Sequence, residues 1–172
     1  MKNGDLLFVR SRQNQFEKMI ANSTSQKYNY VHVGIYIDGN VIHATSKYGC
    51  IKQSLNKFIQ TQAASIDNFR VIDNQIDFQL IKNNANQMIG LPYNHSFLQT
   101  SSGLYCSELI TEVFKDYHIF HLAKLQFGNE KQIAYWKRYY HKLDMKLPVN
   151  ELGSSPNSLI DSAKLNFIKK IN

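Results

Sequence analysis

The chain has 172 residues, with 20 Lys and Arg against 13 Asp and Glu, a formal net charge of +7, and 43% hydrophobic residues. That balance excludes a disordered basic tail and a collagen-like fibre. Its strongly apolar stretches, such as 31–37, are too short to span a bilayer as a helix. What remains is one compact basic domain spanning 1–172, whose charge raises a polyanion partner as a question to test.

Residues 5–10 (DLLFVR) read as a strand, and the polar stretch 11–29 as an excursion with one short helix. Residues 31–37 (VHVGIYI) and 40–45 (NVIHAT) are two strands joined by Asp38-Gly39, a two-residue hairpin turn whose positions favour positive φ. A short helix is expected over 53–60, a strand over 69–72, and a helix over 76–89 stopped by Gly90 and Pro92. Residues 106–117 form the clearest amphipathic helix, with Leu109, Ile110, Val113, Phe114 and Tyr117 on one face. Further helices are expected over 132–143 and 158–171, so that 120–172 reads as a helical C-terminal extension. Helices before and after a small antiparallel sheet give an α+β class.

The hairpin turn dictates a register: Ile37 opposite Asn40, Tyr36 opposite Val41, Ile35 opposite Ile42, Gly34 opposite His43. His32, Gly34 and Tyr36 then share a polar face with Val41, His43 and Thr45, while Val33, Ile35, Ile37, Ile42 and Ala44 face the core. His32 and His43 become diagonal neighbours about 7–8 Å apart at the backbone, with Gly34 leaving room between them. Two imidazoles in reach suit a general base oriented by a second ring, or two zinc ligands.

The chain has two cysteines, Cys50 and Cys106, too few for a disulfide scaffold, and both are expected to be free thiols. Cys106 opens the amphipathic helix and shares the packed face of Leu109, Ile110 and Val113. Unpaired amides there favour thiolate and offer donors to an oxyanion. Cys50 follows Tyr48-Gly49 in an expected loop with no such helix. Thiol, base and orienter together make a cysteine hydrolase constellation: Cys106 the nucleophile, His32 the base, His43 the group that holds it.

The residues that carry this chemistry resemble a known family. Gly4-Asp5-Leu6-Leu7-Phe8, then His32-Val33-Gly34-Ile35-Tyr36-Ile37 with Val41-Ile42-His43-Ala44, then Tyr105-Cys106-Ser107-Glu108-Leu109-Ile110, stand in the order of the circularly permuted branch of the NlpC/P60 papain-like superfamily. The nearest resemblance is to the bacterial YiiX/YebB-like (YaeF-like) group of permuted cysteine amidases, with lecithin retinol acyltransferase-like proteins as more distant relatives. It covers roughly residues 4 to 115. The resemblance implies a papain-like fold with Cys106 as nucleophile, His32 as base and His43 in the third position. A carboxylate is common there in the YiiX-like group and a histidine in the acyltransferase-like relatives. Tyr105 resembles an aromatic wall or oxyanion-side residue.

The expected activity is cleavage of an amide or ester through a thioester, on cell-wall peptides or acylated substrates, with acyl transfer as the alternative. No cofactor is expected. A zinc site of His32, His43 and Cys106 is the metal rival, which would need a fourth ligand or water. Residues 131–142 (KQIAYWKRYYHK) mix cations with aromatics, as a nucleic-acid surface does. Yet Ile133, Trp136, Tyr140 and Leu143 fall at helical spacing and read as packing residues. The expected partner is therefore a small-molecule or peptide substrate, with an anionic surface as a further contact and no specific nucleic acid. Asp5 is expected to cap a turn, Glu108 to favour the helix dipole, and His95, His118, His121 and His141 to lie at the surface. With no signal-peptide pattern at the N-terminus, a cytoplasmic location is expected.

Overall fold

A computed structural model describes every residue except Gln13, Thr100, Ser162 and Ala163. Strand β1 (Leu6–Arg10) is followed by α1 (Gln15–Thr24), β2 (Tyr30–Ile37), β3 (Asn40–Thr45) and β4 (Gly49–Ser54). Then come α2 (Leu55–Gln62), β5 (Ile66–Val71), α3 (Phe78–Gln87) and α4 (Cys106–Val113). The C-terminal part holds β6 (Ala123–Lys124), α5 (Glu130–His141), β7 (Leu152–Gly153), α6 (Pro156–Ile160) and β8 (Leu165–Lys170).

Six strands form one antiparallel sheet in the order β4-β3-β2-β1-β5-β8, and β6 pairs with β7 in a separate ribbon. The β2–β3 hairpin has the expected register, Ile37 opposite Asn40, Tyr36 opposite Val41 and Ile35 opposite Ile42. Asp38 and Gly39 sit at φ 47° and 79°, the backbone such a turn needs.

Alternation along the strands sends apolar side chains to both faces. Val33, Ile35, Ile37 and Ile42 join Leu109, Ile110 and Val113 of α4 in the larger core, and α4 packs on β2 and β3. On the opposite face Leu7, Val9, Val41 and Ile66 surround Phe58 of α2 in a second core. The hairpin face expected to be polar is therefore roofed, because β4 runs straight into α2. Ser54 caps that helix by accepting from the Lys57 N–H at 3.3 Å, which turns it back over the sheet.

Two expectations are corrected. Cys50 lies in β4, not a loop, opposite Ala44 and buried in the larger core. The stretch 120–172 is not a helical extension: the helix expected over 158–171 is the short α6 and then β8, with part of that span outside the described residues. Leu165 and Ile168 stand three apart as a helix allows, but the open backbone edge of β5 claims the segment as a strand. Phe167 packs edge-on against Phe69 with ring centroids 5.6 Å apart. No helix among the described residues is long and apolar enough to cross a membrane.

Candidate active site

Cys106 is the first residue of α4 and is 7% exposed, within the larger core. Its helix starts there because Glu108 reaches back to accept the Tyr105 N–H at 3.2 Å, the backward half of a capping box, which an acidic third residue supplies. The β2–β3 ladder ends at Ile35 and Ile42, although another step would join Val33 to Ala44. The amide so released is used by the site: the N–H groups of Val33, Ser107 and Cys106 itself are all directed at the Cys106 sulfur.

Those three amides pull the thiol towards ionisation, but burial outweighs them and pushes it up to about 11. Helix position alone suggested a thiolate; the depth of the site keeps the resting group a thiol. Cys50, with no such amides, is pushed up to about 12 by burial. Both cysteines are free.

His32 and His43 meet as the hairpin register requires. Their rings stand edge to face with centroids 5.0 Å apart, and His32 Nε2 lies 2.8 Å from His43 Nδ1. Gly34 makes that approach feasible, since a Cβ there would sit 2.6 Å from Val41 Cγ1 and 3.1 Å from His43 Cβ. Phe58 closes the pair from α2, its ring centroid 5.0 Å from that of His43. Burial lowers His32 to about 4, and burial with His32 beside it lowers His43 further. Both rings are neutral near pH 7, so the resting site holds a thiol and a neutral imidazole pair.

His32 and Cys106 line one cavity of about 520 Å³. Its walls are largely apolar and aromatic, with Phe16, Val31, Phe97, Phe127, Trp136 and Tyr140 among them. Tyr105 is a wall residue, 2% exposed, and its hydroxyl accepts from the Ser154 N–H at 2.9 Å and from Gln99 Nε2 at 3.2 Å. These bonds tie the chain before α4 to the chain before α6.

Other candidates fall outside the group of Cys106, His32 and His43. Asp5 is fully buried and accepts from Arg70, Asn68 and the Lys2 amide, so it locks the strand entry. Glu108 is buried, accepts from Asn94 Nδ2 at 3.0 Å, and is pushed up to about 7 by burial. His95, His118, His121 and His141 are exposed. In α5, Trp136 and Tyr140 turn inward, with Trp136 Nε1 donating to Ser23 Oγ at 2.8 Å and the Tyr140 hydroxyl to the Ser96 carbonyl at 2.9 Å. Lys131, Lys137, Arg138 and Lys142 are left in solvent without an aromatic stacking face of Trp136 or Tyr140 beside them.

Three contributors escaped the sequence reading. The Val33 amide is invisible in a side-chain pattern. Tyr93 lines the cavity close enough for Cys106 to help raise its hydroxyl well above the ordinary value, burial being the larger cause. Gln53 lies on β4 opposite Val41, with its Nε2 2.7 Å from His43 Nε2. Recognising β4 would have found it, because alternation then puts Gln53 on the histidine face.

The family described as permuted papain-like amidase enzyme, YaeF/YiiX, C92, matches residues 1–169. This chain belongs to that family. A solved structure described as the metalloprotein yiiX from Escherichia coli O157:H7 shares the fold, with a TM-score of 0.82 and 23% identity over 98% of this chain and 97% of that one. No curated protein matches. The α+β class and the permuted papain-like architecture, with a cysteine-headed helix packed on an antiparallel sheet, are thus those of the YaeF/YiiX amidases.

Proposed function

We propose that this permuted papain-like amidase is a cysteine hydrolase in which Cys106 attacks an amide or ester carbonyl, His32 moves the proton, and His43 holds His32. The observation that carries this is the shared cavity: a thiol under three amides and an imidazole backed by a second imidazole at 2.8 Å open onto the same space.

The Cys106 thiol gives its proton to His32 as sulfur bonds to the carbonyl carbon. The carbonyl oxygen becomes an oxyanion beside the Cys106 and Ser107 amides, which are in place before reaction and need no reorganisation. Collapse breaks the bond to the amine or alcohol, which leaves with the proton from His32, and a thioester remains. Water then gives a proton to His32 and attacks the thioester. Sulfur departs and recovers the proton, and the acid is released. A hydroxyl or amine in place of water would make the reaction an acyl transfer. A neutral resting pair fits this sequence, because thiol and imidazole need to exchange a proton only as the bond forms.

The walls of the cavity suit an apolar acyl group better than a charged cell-wall peptide. The yiiX protein is described as a metalloprotein, and two histidines near a cysteine invite the comparison. Two nitrogens on one tetrahedral zinc stand about 3.3 Å apart with their lone pairs converging on the ion. The facing nitrogens of His32 and His43 are instead 2.8 Å apart and spent on each other. The pair as built does not fit a metal.

The test is hydrolysis of acylated amide and ester substrates alongside murein peptides, with intact-mass detection of the acyl-enzyme. Cys106→Ala is expected to abolish turnover and the mass adduct. His32→Ala should lower kcat/KM roughly 100- to 10,000-fold, the usual reach of a positioned base. Turnover that survives Cys106→Ala would refute the proposal.

A further inference from the structure

Beyond the three residues above lies a fourth whose chemistry bears on whether His32 is a base at all. Gln53 Nε2 stands 2.7 Å from His43 Nε2 and 3.4 Å from Thr61 Oγ1. The Thr61 hydroxyl has one hydrogen, and it is directed at the helix carbonyls of Lys57 and Phe58, 2.9 and 3.0 Å away. Thr61 is therefore an acceptor towards Gln53. An amide NH2 supplies two donors, one for Thr61 and one for His43, which fixes which end of the carboxamide faces the ring.

The consequence passes along the chain of rings. If His43 Nε2 accepts from Gln53, its proton sits on Nδ1 and is donated to His32 Nε2 across 2.8 Å. His32 then carries its own proton on Nδ1 and has its Nε2 lone pair occupied by His43, so neither ring nitrogen is free to accept the thiol proton. Turning the Gln53 carboxamide by half a revolution puts Oε1 at His43. His43 Nε2 then donates to Gln53, His32 Nε2 donates to His43 Nδ1, and His32 Nδ1 presents a lone pair. No proton leaves or enters the pair; each ring exchanges one tautomer for the other.

We propose that Gln53 is a positioning residue that sets the tautomers of both histidines through its contact with His43, holding the site in an off state in which His32 is not a base, from which a carboxamide flip releases it. This rests on the hydrolase reading for its consequence, but not for its physical content.

Long-range proton–nitrogen NMR on uniformly labelled protein reads each ring's tautomer directly. Wild-type protein is expected to show both histidines protonated at Nδ1. Gln53→Glu, which offers only acceptors, should move both to Nε2 and raise the rate of Cys106 alkylation at pH 7 by up to about tenfold, the population shift one net hydrogen bond commands. Thr61→Val, at an exposed position that leaves the rings untouched, should shift the wild-type population part of the way. Identical tautomers for His43 in wild type, Gln53→Glu and Thr61→Val would overturn the proposal. Tautomers that switch while His32→Ala leaves Cys106 alkylation unchanged would uphold the role of Gln53 and defeat the hydrolase reading instead.

Discussion

A buried imidazole pair has a cost that depends on pH in a known direction. His32 is lowered to about 4 and His43 further, both chiefly by burial, whereas the unfolded rings titrate near the ordinary 6.5. Below 6.5 the unfolded chain binds protons that the folded chain refuses, so stability falls as pH falls from 6.5 towards 4. Each histidine contributes a slope of up to about 1.4 kcal/mol per pH unit. Denaturant melts across that window should show the loss, and His43→Gln should flatten it. The thiol behaves in the opposite sense. With Cys106 pushed up to about 11, its alkylation by iodoacetamide should keep climbing from pH 7 to 10 rather than level off near 6. Cys50 should label more slowly throughout, as peptide mass spectrometry would show. A plateau in the acid range would mean a resting thiolate and contradict the burial argument.

The β2–β3 hairpin does more than carry the histidines. Its turn sets the register, the register sets which face both rings occupy, and its early end frees the Val33 amide for Cys106. Gly34 is the residue on which these depend together. A methyl group there would press to 2.6 Å on Val41 Cγ1 inside the strand pair, so Gly34→Ala should cost about 1–3 kcal/mol as overpacking does. It should also loosen the His32–His43 contact. Equilibrium unfolding with Cys106 alkylation as a second readout would check both, and an unchanged midpoint would remove the close-approach argument. Nothing in the strand's own propensity asks for a glycine at that place; the demand comes from the neighbouring strand.

The six-stranded sheet is finished by the last segment of the chain, far in sequence from its partner. Strand β8 covers the edge of β5 with a register shift between Asn68 and Phe69, and lysines 169 and 170 leave the new edge charged. Ending the chain after residue 160 should expose β5 and its apolar neighbours. Such a protein is expected to be less stable and to self-associate, which size-exclusion chromatography beside the full chain would show. A monomeric truncation with an unchanged melt would mean that β8 is decorative. Positive charge is spread over this outer surface, with Trp136 and Tyr140 turned inward, so the +7 describes the shell more than the site.

Local signals were enough for the hairpin, its turn, its register and the helix headed by Cys106, because each depends on neighbours a few residues away. Alternation and 3.6-residue spacing carry that information directly. From them the sequence alone determined that His32 meets His43 and that Cys106 lies on a packed face. Only the tertiary structure decided the rest. Strand β8 lost its helical spacing to an open sheet edge more than ninety residues away, as the pairing of Val71 with Leu165 shows. The thiol stayed protonated because burial, a property of the assembled protein, outweighed amides that helix position alone provides. Gln53 reached His43 only through the third strand of a meander. Short-range order is written in spacing, whereas desolvation and edge pairing exist only once distant segments have met.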